Sequence, residues 1–113
     1  MKPPNIVFIL IDDMGWKDLV CYGSPFYETP NIDRLAREGM RFSDAYAACP
    51  VCSPTRASIL TGKYPATVGI TDWIDAHGHL HPAKGRVVDV PYLKHLPGKE
   101  HSLARALNEG GYQ

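Results

Sequence analysis

Six consecutive apolar residues, Ile6-Val7-Phe8-Ile9-Leu10-Ile11, open this chain, and four of the six are β-branched. They lack the alternation of a strand with one wet face. A run of that length and composition reads as a strand buried on both faces, as in the parallel sheet of an α/β protein. Such a strand demands neighbours on either edge and helices above and below. Asp12-Asp13 follow at its carboxyl end, where open α/β sheets place their ligands. Adjacent side chains of an unbroken strand point to opposite faces, so the two carboxylates meet at one ion only if the strand stops there, and Met14-Gly15 supplies the break. Two carboxylates forced together repel, and a divalent cation relieves the repulsion; all-oxygen ligation favours Ca²⁺, or Mg²⁺, over zinc. An isolated acidic pair also caps turns and helices, and on the residues alone that alternative stays open.

The second constraint is Cys52-Ser53-Pro54-Thr55-Arg56-Ala57-Ser58-Ile59-Leu60-Thr61-Gly62. Pro54 suits the first turn of a helix, where a missing N–H costs nothing, and Gly62 suits the position just past its end. Ala57, Ile59 and Leu60 give this short helix an apolar side. Residue 52 stands at its free N–H groups and positive dipole end, a natural place for an anion. Arg56 lies one turn on, so its guanidinium can reach back to residue 52 or to whatever anion it holds. Cys49-Pro50-Val51-Cys52 is also a C-x-x-C, which opens a redox pair or half of a zinc site; no thioredoxin-like βαβ context surrounds it.

The run from Cys52 to Gly62 resembles the signature of the type I sulfatases: Cys-x-Pro-x-Arg, then an apolar helix ending in Thr-Gly. The resemblance implies that Cys52 is oxidised to formylglycine by a maturation enzyme. One hydroxyl of the hydrated aldehyde would attack sulfur and displace the alcohol, the second would expel the bound sulfate, and Arg56 would hold the hydrate. The family carries an Asp-Asp after its first strand. The resemblance therefore implies that Asp12, Asp13 and residue 52 ligate Ca²⁺, and that the fold is the alkaline-phosphatase-like α/β fold, a mostly parallel mixed sheet flanked by helices. It also implies a periplasmic or secreted enzyme acting on a sulfated small molecule or glycan. Thr71-Asp72-Trp73-Ile74-Asp75 and Val90-Pro91-Tyr92-Leu93 look like bacterial members acting on sulfated sugars, near the arylsulfatase A and N-acetylgalactosamine-6-sulfatase branch.

Between these landmarks the chain reads as scaffold. Residues 15–28 form a loop packed through Trp16, Tyr22, Phe26 and Tyr27. Thr29-Pro30 start a helix with an apolar stripe of Ile32, Leu35 and Ala36, stopped by Gly39; Pro-Asn-Ile-Asp-Arg-Leu within it also recurs in sulfatases. Met40 to Ala48 is expected to be a second strand. Lys63 suits a helix C-terminus, which explains it without a substrate. His77, His79 and His81 on an extended segment would align three imidazoles, a possible zinc site, although such loops more often line a surface. In the family this region borders the substrate, which makes Trp73, Asp75 and His77 candidates for recognition. Ser102 caps a last helix, with Leu103, Ala104, Ala106 and Leu107 inward and Gly110-Gly111 as its stop. Tyr112-Gln113 looks like the start of another strand.

Composition excludes some classes. Twelve basic and twelve acidic residues among 113 give a formal net charge of zero, so neither nucleic acid nor an anionic membrane is an expected partner. The run from Ile6 to Ile11 is too short to span a bilayer. Met1-Lys2-Pro3-Pro4 lacks the form of a secretory signal. Cys21 and Cys49 are left to pair or stay free. By resemblance, residues 1–113 are the N-terminal portion of a larger catalytic domain. A Gly-Lys-Trp-His-type segment and further calcium ligands lie beyond it, so the fragment alone is expected to be inactive. Phosphonate or phosphate ester hydrolysis, and a non-catalytic sulfatase-like binding protein, are the competing functions.

Overall fold

The structure is a computed structural model that describes residues 3–75 and 90–113. Two compact units make up the chain, Met1–Ala45 and Tyr46–Gln113.

In the first unit the apolar run forms no ladder and stands in solvent, with Val7 83% exposed. The expected strand is not formed among the described residues, nor is that of residues 40–48, which bend at Ser43 and Asp44 and leave Met40, Phe42 and Tyr46 exposed. The physical reason is that a strand exists through its hydrogen-bonded neighbours, and among the described residues no strand is present to pair with either segment. The α/β sheet thus remains an implication of the resemblance. Helix α1 runs Pro30–Glu38, bounded as the Thr29-Pro30 and Gly39 signals predict, and the Gly39 N–H closes it onto the Leu35 carbonyl at 2.9 Å.

Its polar N-terminal side, rather than its apolar stripe, organises this unit. Asp33 Oδ1 accepts from the Cys21 N–H at 2.9 Å and from the Thr29 hydroxyl at 3.1 Å, and Thr29 Oγ1 accepts from the Val20 N–H at 3.0 Å. These bonds clamp the 3-10 turn Val20–Tyr22 to the helix start. Tyr22 donates to the Phe42 carbonyl at 2.7 Å, tying down the chain after α1. Leu19 and Ser24 are the buried residues; the Ser24 hydroxyl accepts from the Tyr27 N–H at 3.3 Å, which satisfies it. Phe26 and Tyr27 pack edge to face on each other, 5.1 Å between ring centres, yet both are exposed, as are Trp16 and Leu35 of the stripe.

The second unit contains α2 (Cys52–Thr61), α3 (Pro65–Val68) and α4 (Leu103–Glu109). Its core is Ala57 of α2 with Val68 and Ile70, joined by Ile74 and Leu96. Gly62 ends α2 in the left-handed conformation, φ 66°, where glycine alone carries no Cβ penalty. Lys63 pairs with Glu100 at 2.6 Å, a tether from the end of α2 to the turn before α4. The Ser102 hydroxyl accepts from the Arg105 N–H at 3.3 Å, the expected cap of α4. At its other end the Gly111 N–H bonds the Asn108 carbonyl and the Tyr112 N–H bonds the Leu107 carbonyl, with Gly111 at φ 84°. That is a Schellman motif, and it absorbs the Tyr112 N–H that a strand would need. Of the face expected to turn inward, only Leu107 is half-buried; Leu103, Ala104 and Ala106 are exposed.

Candidate functional site

The helix that carries Cys52 begins with it. Val51 is the cap residue in extended conformation and offers no side-chain acceptor, so the first N–H groups of α2 are left to other partners. Pro54, at the third helical position, is the largest fully buried side chain of the described residues. It locks its own φ and removes one donor from a helix end that has donors in excess. Cys52 itself is half-buried and Arg56, one turn later, reaches the surface.

Two residues that the sequence did not single out hold this turn. Thr55 Oγ1 donates to the Cys49 carbonyl at 2.7 Å, folding the approach back on the helix. Ser53 Oγ accepts the N–H of Ile74 at 3.0 Å and lies 3.9 Å from Cys52 Sγ. The signal for both was present in kind: Ser and Thr in a first helical turn bond nearby backbone groups, but sequence does not say which. Through Ile74 the segment carrying Trp73 and Asp75 is brought to the start of α2. The Trp73 carbonyl in turn accepts from the Tyr92 hydroxyl, and Lys94 lies 3.2 Å from the centre of the Tyr92 ring. Trp73 and Asp75 are half-buried. His77, His79 and His81 lie outside the described residues.

All three cysteines, Cys21, Cys49 and Cys52, are free thiols. Among the described residues no group of three or more His, Cys, Asp or Glu is placed to hold a metal ion. Lys63 is paired with Glu100 at 2.6 Å.

Asp12 and Asp13 belong to the first unit, Cys52 and Arg56 to the second. Asp13 is the one non-glycine residue among those described with a positive φ, 56°. A left-handed residue is uncommon outside glycine, and aspartate is among the side chains that tolerate it. The chain therefore bends at Asp12 and Asp13 themselves, ahead of the break expected from Met14-Gly15. The Gly15 N–H then donates to Asp18 Oδ2 at 2.6 Å, and a Cβ on Gly15 would stand 3.0 Å from that oxygen. Two exposed carboxylates at a sharp bend are hard donors that suit Ca²⁺ or Mg²⁺ in kind; they supply part of a shell that for Ca²⁺ takes roughly six to eight oxygens.

Comparison with known proteins agrees with the signature. A family model described as Sulfatase matches residues 4–113. N-acetylgalactosamine-6-sulfatase of Sus scrofa is 45% identical over 111 residues, covering 98% of this chain and 20% of the relative. Steryl-sulfatase of Mus musculus is 41% identical, covering 98% of this chain and 16% of the relative. Arylsulfatase A of Homo sapiens is 41% identical over 107 residues, covering 88% and 21%. The chain spans about a fifth of the length of the curated relatives it matches.

Proposed function

The chain belongs to the sulfatase family, and on that premise we propose that the full-length protein is a sulfuric ester hydrolase whose nucleophile is made from Cys52. The observation that carries this is local. Cys52, Pro54, Arg56, Thr61 and Gly62 fall on one helix and its cap, with Cys52 as first helical residue and Pro54 buried two residues on.

Oxidised to formylglycine and hydrated, residue 52 supplies an oxygen nucleophile for sulfur that a thiol does not provide. The chain's own groups prepare the place for it. The N–H groups and positive dipole end of α2 favour the sulfate oxygens beside residue 52. Arg56 adds a planar, always-charged guanidinium one turn away, suited to bidentate contact with an oxyanion. Pro54 fixes the backbone of the turn and Thr55 holds the approach from Cys49, so residue 52 is oriented before substrate arrives. Asp12 and Asp13 are the residues that would hold Ca²⁺, whose charge would acidify a hydroxyl and offset charge developing on the sulfuryl oxygens. The substrate class is a sulfated carbohydrate or aryl sulfate, the necessary partner is a formylglycine-generating enzyme, and the location is periplasmic or secreted. Among the described residues no helix is long and apolar enough to cross a membrane.

Intact-mass measurement of the full-length protein co-expressed with a maturation enzyme tests the central step. Conversion of Cys52 appears as a loss of about 18 Da, a covalent change of the kind sequence does not display. A thiol retained at position 52 under maturing conditions, or converted protein that releases no sulfate from aryl or sugar sulfates, overturns the proposal.

A further inference from the structure

The proposed function uses Cys49-Pro50-Val51-Cys52 only at its second cysteine. Both thiols are free and half-buried, so each keeps part of its surface open to solvent. The chain bends throughout residues 48–51, whereas three residues at full extension span about 10–11 Å. Thr55 draws the first cysteine in. Its hydroxyl donates to the Cys49 carbonyl at 2.7 Å, and its N–H bonds the Val51 carbonyl at 3.4 Å in the first turn of α2. Thr55 and Cys52 stand three residues apart on one helix and so are neighbours on its surface. The main chain of Cys49 is thus folded back on the turn that Cys52 opens. Bent in this way, the step from 49 to 52 shortens toward the Cα separation of about 4.4–6.8 Å that a disulfide takes. Cys21, the third cysteine, belongs to the other unit.

We infer that Cys49 is the redox partner of Cys52, closing a disulfide that withholds position 52 from conversion to formylglycine. The oxidant is a small disulfide of the glutathione class. One cysteine sulfur attacks it, the S–S bond of the oxidant breaks and one glutathione leaves; the other cysteine then attacks the mixed disulfide and the second glutathione leaves. A bond between the sulfurs of Cys49 and Cys52 replaces that of the oxidant. The two electrons and two thiol protons given up by the protein end on two molecules of glutathione. Closure itself is independent of formylglycine chemistry. Its consequence rests on the functional reading of Cys52 above, because formylglycine is made from a thiol and the disulfide leaves none at that position.

The test uses full-length protein expressed without a maturation enzyme and treated with glutathione disulfide. Trypsin releases residues 42–56 as one peptide that carries Cys49 and Cys52 and no other cysteine. Closure is expected to lower its mass by about 2 Da, two hydrogens, and to protect both sulfurs from alkylation. Cys49→Ser is expected to show no such loss, leaving Cys52 as a thiol or with one glutathione attached. In Thr55→Val, closure is expected to slow by about three- to tenfold, the factor that one hydrogen bond is worth, with Thr55→Ser near the parent. Alkylation of both thiols after oxidation, or a bond mapped from Cys49 to any other cysteine, overturns the inference. So does closure of Thr55→Val at the parent rate. Co-expression with a maturation enzyme in an oxidising compartment then reads the consequence. The parent peptide is expected in two pools, about 18 Da lighter where converted and about 2 Da lighter where closed. Cys49→Ser is expected to raise the converted fraction, by about twofold where the two fates run at equal rates. Complete conversion of the parent, or the same converted fraction in both proteins, overturns the withholding role. Absence of formylglycine from both proteins would instead refute the function, and the loss of two hydrogens would still decide whether the pair closes.

Discussion

Replacing Pro54 by alanine isolates the contribution of its burial in the first turn of α2. The proline is fully buried at the third position of α2. Truncating its ring removes two buried methylenes, worth about 0.8 kcal/mol each, or about 1.6 kcal/mol together. Alanine also loosens the unfolded chain, which costs about 0.4–1 kcal/mol more. Finally it restores an N–H in a first turn whose cap residue, Val51, offers no side-chain acceptor, and a buried unsatisfied donor costs about 1–3 kcal/mol. The expected destabilisation is about 3–6 kcal/mol when these contributions are combined. Pro30 is the internal control, since it opens α1 but is exposed, and Pro30→Ala is expected to cost about 1 kcal/mol or less. Urea unfolding of both variants, in full-length protein expressed without a maturation enzyme so that position 52 stays a thiol throughout, reads the difference as a shift in midpoint at constant slope. Equal midpoints for the two variants would refute the argument, because it rests entirely on the difference in burial.

Arg56→Lys keeps the charge and loses the planar fork, so turnover of the matured full-length enzyme is expected to fall by about tenfold or more while formylglycine content by mass is unchanged; equal turnover would show that the fork is not used. Gly69→Ala places a Cβ at φ 84° and 3.2 Å from Leu93 Cδ1, and is expected to cost about 1–2 kcal/mol in urea unfolding. The Arg105 guanidinium, and after it His101, hold the exposed Glu109 carboxyl below its ordinary value of 4.5. A carboxyl depressed on folding contributes stability that is present above its unfolded value and is lost as pH falls through the folded one, so the pairing weakens only below about pH 4.5. NMR titration is expected to show Glu109 moving back upward more in Arg105→Gln than in His101→Ala, and the reverse order would contradict the assigned cause.

Helix ends were legible because their determinants are local. Thr29-Pro30 and Gly39 bound α1, Gly62 ends α2, and Ser102 and Gly111 close α4 through bonds spanning a few residues. The strands were not, because a parallel ladder depends on partners far along a chain, and residues 6–11 and 40–48 have none among those described. The apolar stripes of α1 and α4 were correctly patterned yet are exposed at Leu35 and Leu103, since pattern says which face seeks cover and not what covers it. At the site, the residue types announced Cys52 and Arg56 as a pair one turn apart. Ser53 and Thr55 were invisible in that reading because their meaning lies in Ile74 and Cys49, at the far end of each bond.

The bend at Asp13 limits which residues a descendant of this chain could carry there. With φ at 56°, glycine keeps the shape and loses the acid, asparagine keeps the shape and an oxygen but loses the charge, and glutamate keeps the charge at a conformational penalty. Mutational drift at this position therefore separates two inheritances that aspartate combines, the direction of the chain and its negative charge.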